Sequence, residues 1–181
     1  MKLLKLLKRI AIHKFWVAYY CFQLGLYWQG IIHDWSKFSL TEIKGAIKYW
    51  DDKRSSLENE CRRNGYSATF LHHRGRNPHH YEYWIHSLNH GGVAAEMPRK
   101  YALELICDYL AACRTYGGNI LDEFDWWMAN CKDKIKMHDN TKKLCRNVFW
   151  HMKNGKTLSQ AVKLAEDPFA RNYIKLIQHT N

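Results

Sequence analysis

Apolar residues recur at three- and four-residue steps through almost the whole chain, and strict alternation is nowhere sustained. Leu3, Leu4, Leu7, Ile10 and Ala11, then Phe15, Ala18, Tyr19 and Phe22, all lie on the spacing that lines one side of a helix. Val and Thr, which favour strands, are sparse, and only three prolines interrupt the pattern. The sequence therefore predicts an all-α chain, a single helical domain of about seven or eight helices. A first helix runs from about Leu3 to Phe22. Ser39 followed by Glu42 has the spacing of a capping box and starts a helix from Leu40 to about Asp51. Asp52 to Ser67 is polar and reads as a flexible insert. Ala68 to His73 is a helical turn, and His79 to His86 resumes as helix. Pro98 suits the first turn of a helix that ends at Gly117-Gly118. Asn119 caps the next, through about Lys132. Thr141 to Asn154 follows, and Thr157 caps a last helix that bends at Pro168.

The 181 residues, 46% hydrophobic and 14% aromatic, exclude a disordered chain. A net charge of +11 calls for an anionic partner without naming one. Met1 to Lys14 carries five basic residues and no acid, and Phe15 to Ile32 has no charge at all. Gln23, Gln29, Gly25 and Gly30 interrupt that run, it is aromatic rather than Leu-rich, and His33-Asp34 closes it. It therefore reads as a buried core helix with no transmembrane segment; the basic start keeps a membrane-surface role in view. Cys21, Cys61, Cys107, Cys113, Cys131 and Cys145 form no C-x-x-C pair, so they read as reduced thiols of a cytoplasmic protein.

The eleven histidines are the unusual entries. Six fall between His72 and His90: His72, His73, His79, His80, His86 and His90. His33-Asp34 is an adjacent pair, and His13 lies on the first helix. Asp108 sits in the apolar run Leu103 to Ala112, where an unpaired buried carboxylate is costly. Imidazole and carboxylate together are the ligands that Mn, Fe, Ni, Co, Zn or Mg accept. Read singly, each residue is a core histidine or a paired surface acid.

Read in order, they resemble the HD-domain superfamily of metal-dependent phosphohydrolases. His13-Lys-Phe-Trp-Val-Ala18 is similar to its first-helix pattern, Gly30-Ile-Ile-His-Asp-Trp-Ser-Lys37 to its His-Asp motif, and Ile106-Cys-Asp-Tyr-Leu110 to its terminal Asp helix. The likeness covers residues 10 to about 115. It also extends to a small, little-characterised group with His-Asp-x-Ser-Lys-Phe-Ser and His-His-Arg-x-Arg-Asn-Pro-His-His. The resemblance implies an HD-like metal-binding core over 1–116, with a C-terminal helical extension over 117–181. It implies one metal on His13, His33, Asp34 and Asp108, and candidates for a second, or for proton transfer, among His72, His73, His79 and His80. Lys37, Arg74 and Arg76 would meet phosphate, and Tyr83 with Trp84 a nucleobase. The doubled histidines depart from the usual spacing.

The reading that follows is a metal-dependent phosphohydrolase with one or two metals, acting on a nucleotide or other small phosphorylated substrate. Two alternatives stand beside it. One is a basic nucleic-acid or membrane-surface binding module with a structural histidine cluster, for which the eight cations between Lys132 and Lys156 form a second patch. The other is an HD-type di-iron oxygenase. The eight tryptophans read as core and groove packing, and His138, His151 and His179 as surface residues.

Overall fold

The computed structural model describes residues 1–88 and 91–167. His90, His179 and the bend expected at Pro168 lie outside them. The fold is all-α and a single domain. It is built on two helices that run along one another: α1 (Lys2–Gln23) and α6 (Arg99–Thr115). Leu6, Ile10, His13, Val17, Tyr20 and Cys21 of α1 fall at helical spacing and form its buried stripe. α6 is buried nearly all round, from Ala102 through Cys107 and again at Leu110 and Ala111, as expected of a central helix. Its other flank is covered by α7 (Glu123–Asn130), α8 (Asp139–Lys153) and α9 (Leu158–Glu166), which supply Trp127, Val148, Phe149, Leu158 and Val162 to the core.

On the opposite side, α2 (Tyr27–Ile32) folds back on α1. A Cβ at Gly30 would lie 2.9 Å from the Phe22 ring and 3.1 Å from the Ala18 backbone, so only glycine permits that approach. A trio follows: α3 (Leu40–Lys48), α4 (Ser56–Asn64) and α5 (Ala68–Arg74). α3 leans on α1, and the trio and the α1–α6 pair enclose a cleft. Ser39 caps α3 by accepting from the Glu42 N–H at 3.3 Å, but the Glu42 side chain does not complete a capping box. It turns towards α5 instead. α9 starts at the cap expected at Thr157, and Gln160 completes it as a full capping box.

Several expectations are corrected. The segment 52–67 is not a flexible insert but holds α4, capped by Ser55 and ended by Gly65 in the left-handed region. Buried Glu60 ties that segment to α5 by accepting from Ser67 Oγ at 2.6 Å and from the Thr69 N–H at 3.2 Å. Residues 79–86 do not resume an α-helix. They form a short 3-10 turn (Tyr81–Trp84) and then β1 (Ile85–His86), which pairs antiparallel with β2 (Val93–Ala94). The charge-free run is not one buried helix, because it breaks at Leu24 and Gly25, and Phe15, Tyr19, Phe22, Tyr27, Trp28 and Ile31 are exposed. Of the tryptophans, Trp127 is in the core, Trp16 and Trp84 pack against it and Trp50 lines the cleft, as expected, but Trp28, Trp35 and Trp126 are exposed, and His151 is buried rather than on the surface. No helix among the described residues is long and apolar enough to cross a membrane.

Two predictions follow from packing. A Cβ at Gly45 of α3 would overlap Thr69 Oγ1 of α5. Gly45→Ala should cost about 1–3 kcal/mol in thermal or denaturant unfolding, and Thr69→Ala in the same chain should return most of it. Glu123, 6% exposed at the start of α7, has its carboxyl pushed up to about 7 by burial, with the Cys113 thiol a smaller opposing influence. The folded chain therefore keeps a proton there that the unfolded chain gives up from about 4.5 upward, so stability is present at low pH and is lost as pH rises through about 7. Glu123→Gln should remove this loss, gaining up to about 3 kcal/mol over the wild type at pH 8 and little at pH 4.

Candidate metal centre

α2 stops at His33, and Asp34 takes the left-handed conformation, with φ 54° and ψ 28°. It is the only residue other than glycine with positive φ among the described residues. Aspartate tolerates this region better than most residues, but it is unusual, and such conformations gather at functional sites. The reversal sends the chain into a 3-10 turn (Trp35–Phe38) and turns His33 and Asp34 inward together.

Five elements deliver side chains to this point. His13 comes from α1, His33 and Asp34 from the α2 end, and His73 from α5. His79 and His80 come from the loop after α5, and Asp108 from α6. Asp34 lies between two groups of histidines. Its Oδ2 is 3.2 Å from His33 Nε2 and 3.7 Å from His13 Nε2. Its Oδ1 is 3.1 Å from His73 Nε2 and 3.4 Å from His79 Nε2. Asp108 Oδ1 faces His13 Nε2 at 3.0 Å and His33 Nε2 at 3.6 Å. Ligand atoms of Asp34, His73, His79 and His80 lie within 4.8 Å of one another, as do those of His13, His33 and Asp34.

The far sides of the rings are held by two further carboxylates. His33 Nδ1 donates to Glu104 Oε1 at 2.9 Å, and His79 Nδ1 faces the same oxygen at 3.2 Å. His73 Nδ1 donates to Glu42 Oε2 at 2.8 Å. The other Glu42 oxygen accepts from His72 Nδ1 at 3.0 Å. An ionised carboxylate only accepts, so the His33, His73 and His79 rings keep their proton on Nδ1 and, when neutral, aim the Nε2 lone pair at the centre. Five of the inward atoms are buried with no hydrogen bond: Nε2 of His13, His33, His79 and His80, and Oδ1 of Asp34. Orphaned buried polar atoms are costly one at a time. Here the five fall in two adjoining groups that share Asp34, and these groups could hold a metal ion.

The charge balance points the same way. Burial pushes the Asp34 carboxyl up, but His33 and Lys37 outweigh it and hold it well below its usual range. Asp108 is likewise held low, burial being overcome by His13 and His33. His33 is driven well above an ordinary histidine because Asp34 and Asp108 overcome its burial. In the bare protein, protons and the Lys37 ammonium, 2.5 Å from Asp34 Oδ2, thus supply the positive charge that the carboxylates demand. His80 is the exception: burial, then neighbouring His79, pushes it well below its ordinary value, so it stays neutral.

The centre opens into the cleft, a cavity of about 310 Å³. His13, Asp34, Lys37, His73, His80 and Asp108 form its floor. Leu6, Ile10, Ala46, Leu57 and Ala112 give it apolar walls, with Trp50, Tyr116 and Arg9 beyond them. The Arg9 guanidinium sits 4.2 Å over the Trp50 ring and 5.6 Å from the Tyr116 ring, and donates to the Asp51, Asp52 and Arg54 carbonyls.

Of the residues singled out in the sequence, His13, His33, Asp34, His73, His79, His80 and Asp108 come together, with Lys37 beside them. His72 is one step out, on the back of Glu42. Arg74, Arg76, Tyr83 and Trp84 do not line the cleft. Arg76 donates to the His72 carbonyl at 3.2 Å, and Trp84 Nε1 donates to the Pro78 carbonyl at 2.7 Å. Glu42, Glu104, Arg9 and Trp50 were not singled out. Glu104 had a signal: it lies one helical turn before Asp108 on the same buried helix. Glu42 was read only as a capping residue.

A family described as "Family of unknown function (DUF5662)" matches residues 2–151, a span that contains every residue of the centre. No curated protein and no solved structure matches the chain. The carboxylate clamps yield a prediction that needs no assay of activity. Glu104→Gln, which keeps shape but loses charge, should lower affinity for Mn or Zn about 10- to 100-fold by isothermal titration, and Glu42→Gln should do likewise through His73. Unchanged affinity in both would mean that the rings need no such support.

Proposed function

The chain belongs to the DUF5662 family, and we propose that it is a metal-dependent phosphohydrolase acting on a nucleotide or other small phosphorylated molecule. The observation that carries this is the convergence of unpartnered Nε2 and carboxylate atoms at the floor of a cleft of ligand size. The likeness of His13, His33-Asp34 and Asp108 to the HD-domain pattern adds to it, because these four residues, far apart in sequence, meet.

His13, His33, Asp34 and Asp108 would hold one divalent ion, and Asp34 with His73, His79 and His80 a second. The nitrogen-rich set suits Mn, Fe, Co, Ni or Zn better than Mg. Such an ion supplies Lewis acidity and lowers the pKa of water into the neutral range. The chain's own groups do the rest. Lys37 Nζ, on the cleft floor, gives a phosphate oxygen a cation to pair with. With a single ion bound, His80, kept neutral and free of any ion pair among the described residues, would instead be placed to move a proton at Nε2. The apolar walls exclude water from around the reacting bond. In this reading the protein works in the cytoplasm, where its thiols stay reduced; the cysteines are all unpaired.

Purified protein should carry transition metal by elemental analysis, and chelation should abolish hydrolysis of a panel of phosphate esters, with Mn, Co, Ni or Fe restoring it. Asp34→Asn, which tolerates the same backbone, and Asp108→Ala should each cut kcat/KM at least ~100-fold and reduce bound metal. Lys37→Met should raise KM with metal content kept. Protein without metal, and without activity in any of these ions, refutes the reading. Two irons with oxygen consumption would assign the oxidative chemistry of the same histidine-rich centre instead.

A further inference from the structure

α1 is apolar on two faces, and only one is covered. Beside the buried stripe, Leu4, Leu7, Phe15, Tyr19 and Phe22 are exposed on its outer side. The face continues onto α2 and the turn after it. The Phe22 and Tyr27 rings meet at 5.4 Å, and Trp28, Ile31 and Trp35 project beyond them. Phe15 is 63% exposed, Trp28 66% and Trp35 68%. Single exposed apolar residues are ordinary, but a joined face of large aromatics is not.

The charge around the face selects its occupant. Residues 1–33 contain no acid, and Asp34, the first, is buried in the metal centre. Lys2 and Lys8 are exposed and without an ion pair among the described residues, and the Lys14 ammonium lies 5.8 Å from the Trp35 ring at the edge of the face. Trp and Tyr beside Lys are the residues that settle at a bilayer's headgroup level. A second copy fits less well, because an acid-free face bearing lysines offers its own copy no opposite charge to pair with. No described helix can span a bilayer, so contact is with its surface.

We propose that the outer face of α1 and α2 docks this protein on an anionic lipid surface. The aromatics enter the headgroup layer, and Lys2 and Lys8 pair with lipid charge. The assignment is independent of the chemistry proposed for the cleft.

The test is flotation of the full chain with phosphatidylcholine–phosphatidylglycerol vesicles, mixed two to one, and with phosphatidylcholine alone. Wild type should float with the anionic vesicles, less so in high salt, and hardly at all with phosphatidylcholine. Phe15→Ser with Trp28→Ser should lower the partition coefficient at least ~10-fold. Lys2→Glu with Lys8→Glu should lower it about five-fold per lysine. All four residues are exposed, and unchanged metal content and unchanged melting confirm that the variants remain folded. The proposal fails if wild type does not float with anionic vesicles, or if the aromatic pair floats as well as wild type. It also fails if ultracentrifugation shows a dimer that Phe15→Ser and Trp28→Ser dissociate, which gives the face to a second copy. None of these failures touches the metal centre, whose metal content and hydrolysis are read separately.

Discussion

The structure turns on the burial of the Asp34 carboxylate, 2% exposed among imidazoles. A carboxylate removed from water is stable only with positive charge and hydrogen bonds around it, and here it is not alone. Asp108, Glu42 and Glu104 stand within the same cluster. Four acids concentrated in one region set a requirement that much of the fold serves. It needs a helix end that reverses at Asp34, two long helices that bring His13 opposite Asp108, and a loop that presents His79 and His80 together.

The cluster has an inner and an outer layer, and the two have different jobs. Inner atoms face one another at angles that make no hydrogen bonds, whereas the outer contacts of Glu42 and Glu104 are well-formed ones. A merely structural network would satisfy its polar atoms inward. This one satisfies them outward and leaves the lone pairs converging, an arrangement stable when something electrophilic sits between them. The close approach at Gly45 belongs to the same design, since it lets α3 bring Glu42 against His72 and His73 on α5.

Much of this was legible in the sequence, for local reasons. Helical spacing marks α1, α6, α8 and α9, and a carboxylate in an apolar helix marks Asp108. What failed was whatever depends on pairing at a distance. Segment 52–67 is too polar to announce α4, whose stability comes from Glu60 reaching Ser67 and Thr69. β1 and β2 are two residues each, shorter than any periodicity can register. His72 and His73 could not be told apart, because the choice is made by Glu42, thirty-one residues before His73, which holds His72 behind the centre and His73 within it. The Arg74 and Arg76 pair looked like phosphate ligands by type alone, but neither lines the cleft: Arg74 ends α5, and Arg76 reaches back to the His72 carbonyl.

The same arithmetic explains why the N-terminal run misled. A charge-free stretch is what a doubly buried helix and a surface-docking helix have in common, and spacing separates them only when both faces are followed. His13 and Phe15 are two residues apart, about 200° around the axis, so one points into the histidine–carboxylate cluster and the other away from the protein. α1 therefore carries two different constraints along one length. Its inner stripe is fixed by α6 and by the charge of Asp108, and tolerates no change of register. Its outer stripe makes little contribution to the fold, and folding alone would allow it to be polar. That it is instead aromatic, rimmed by lysine and free of acid is what the proposed docking on a lipid surface would account for.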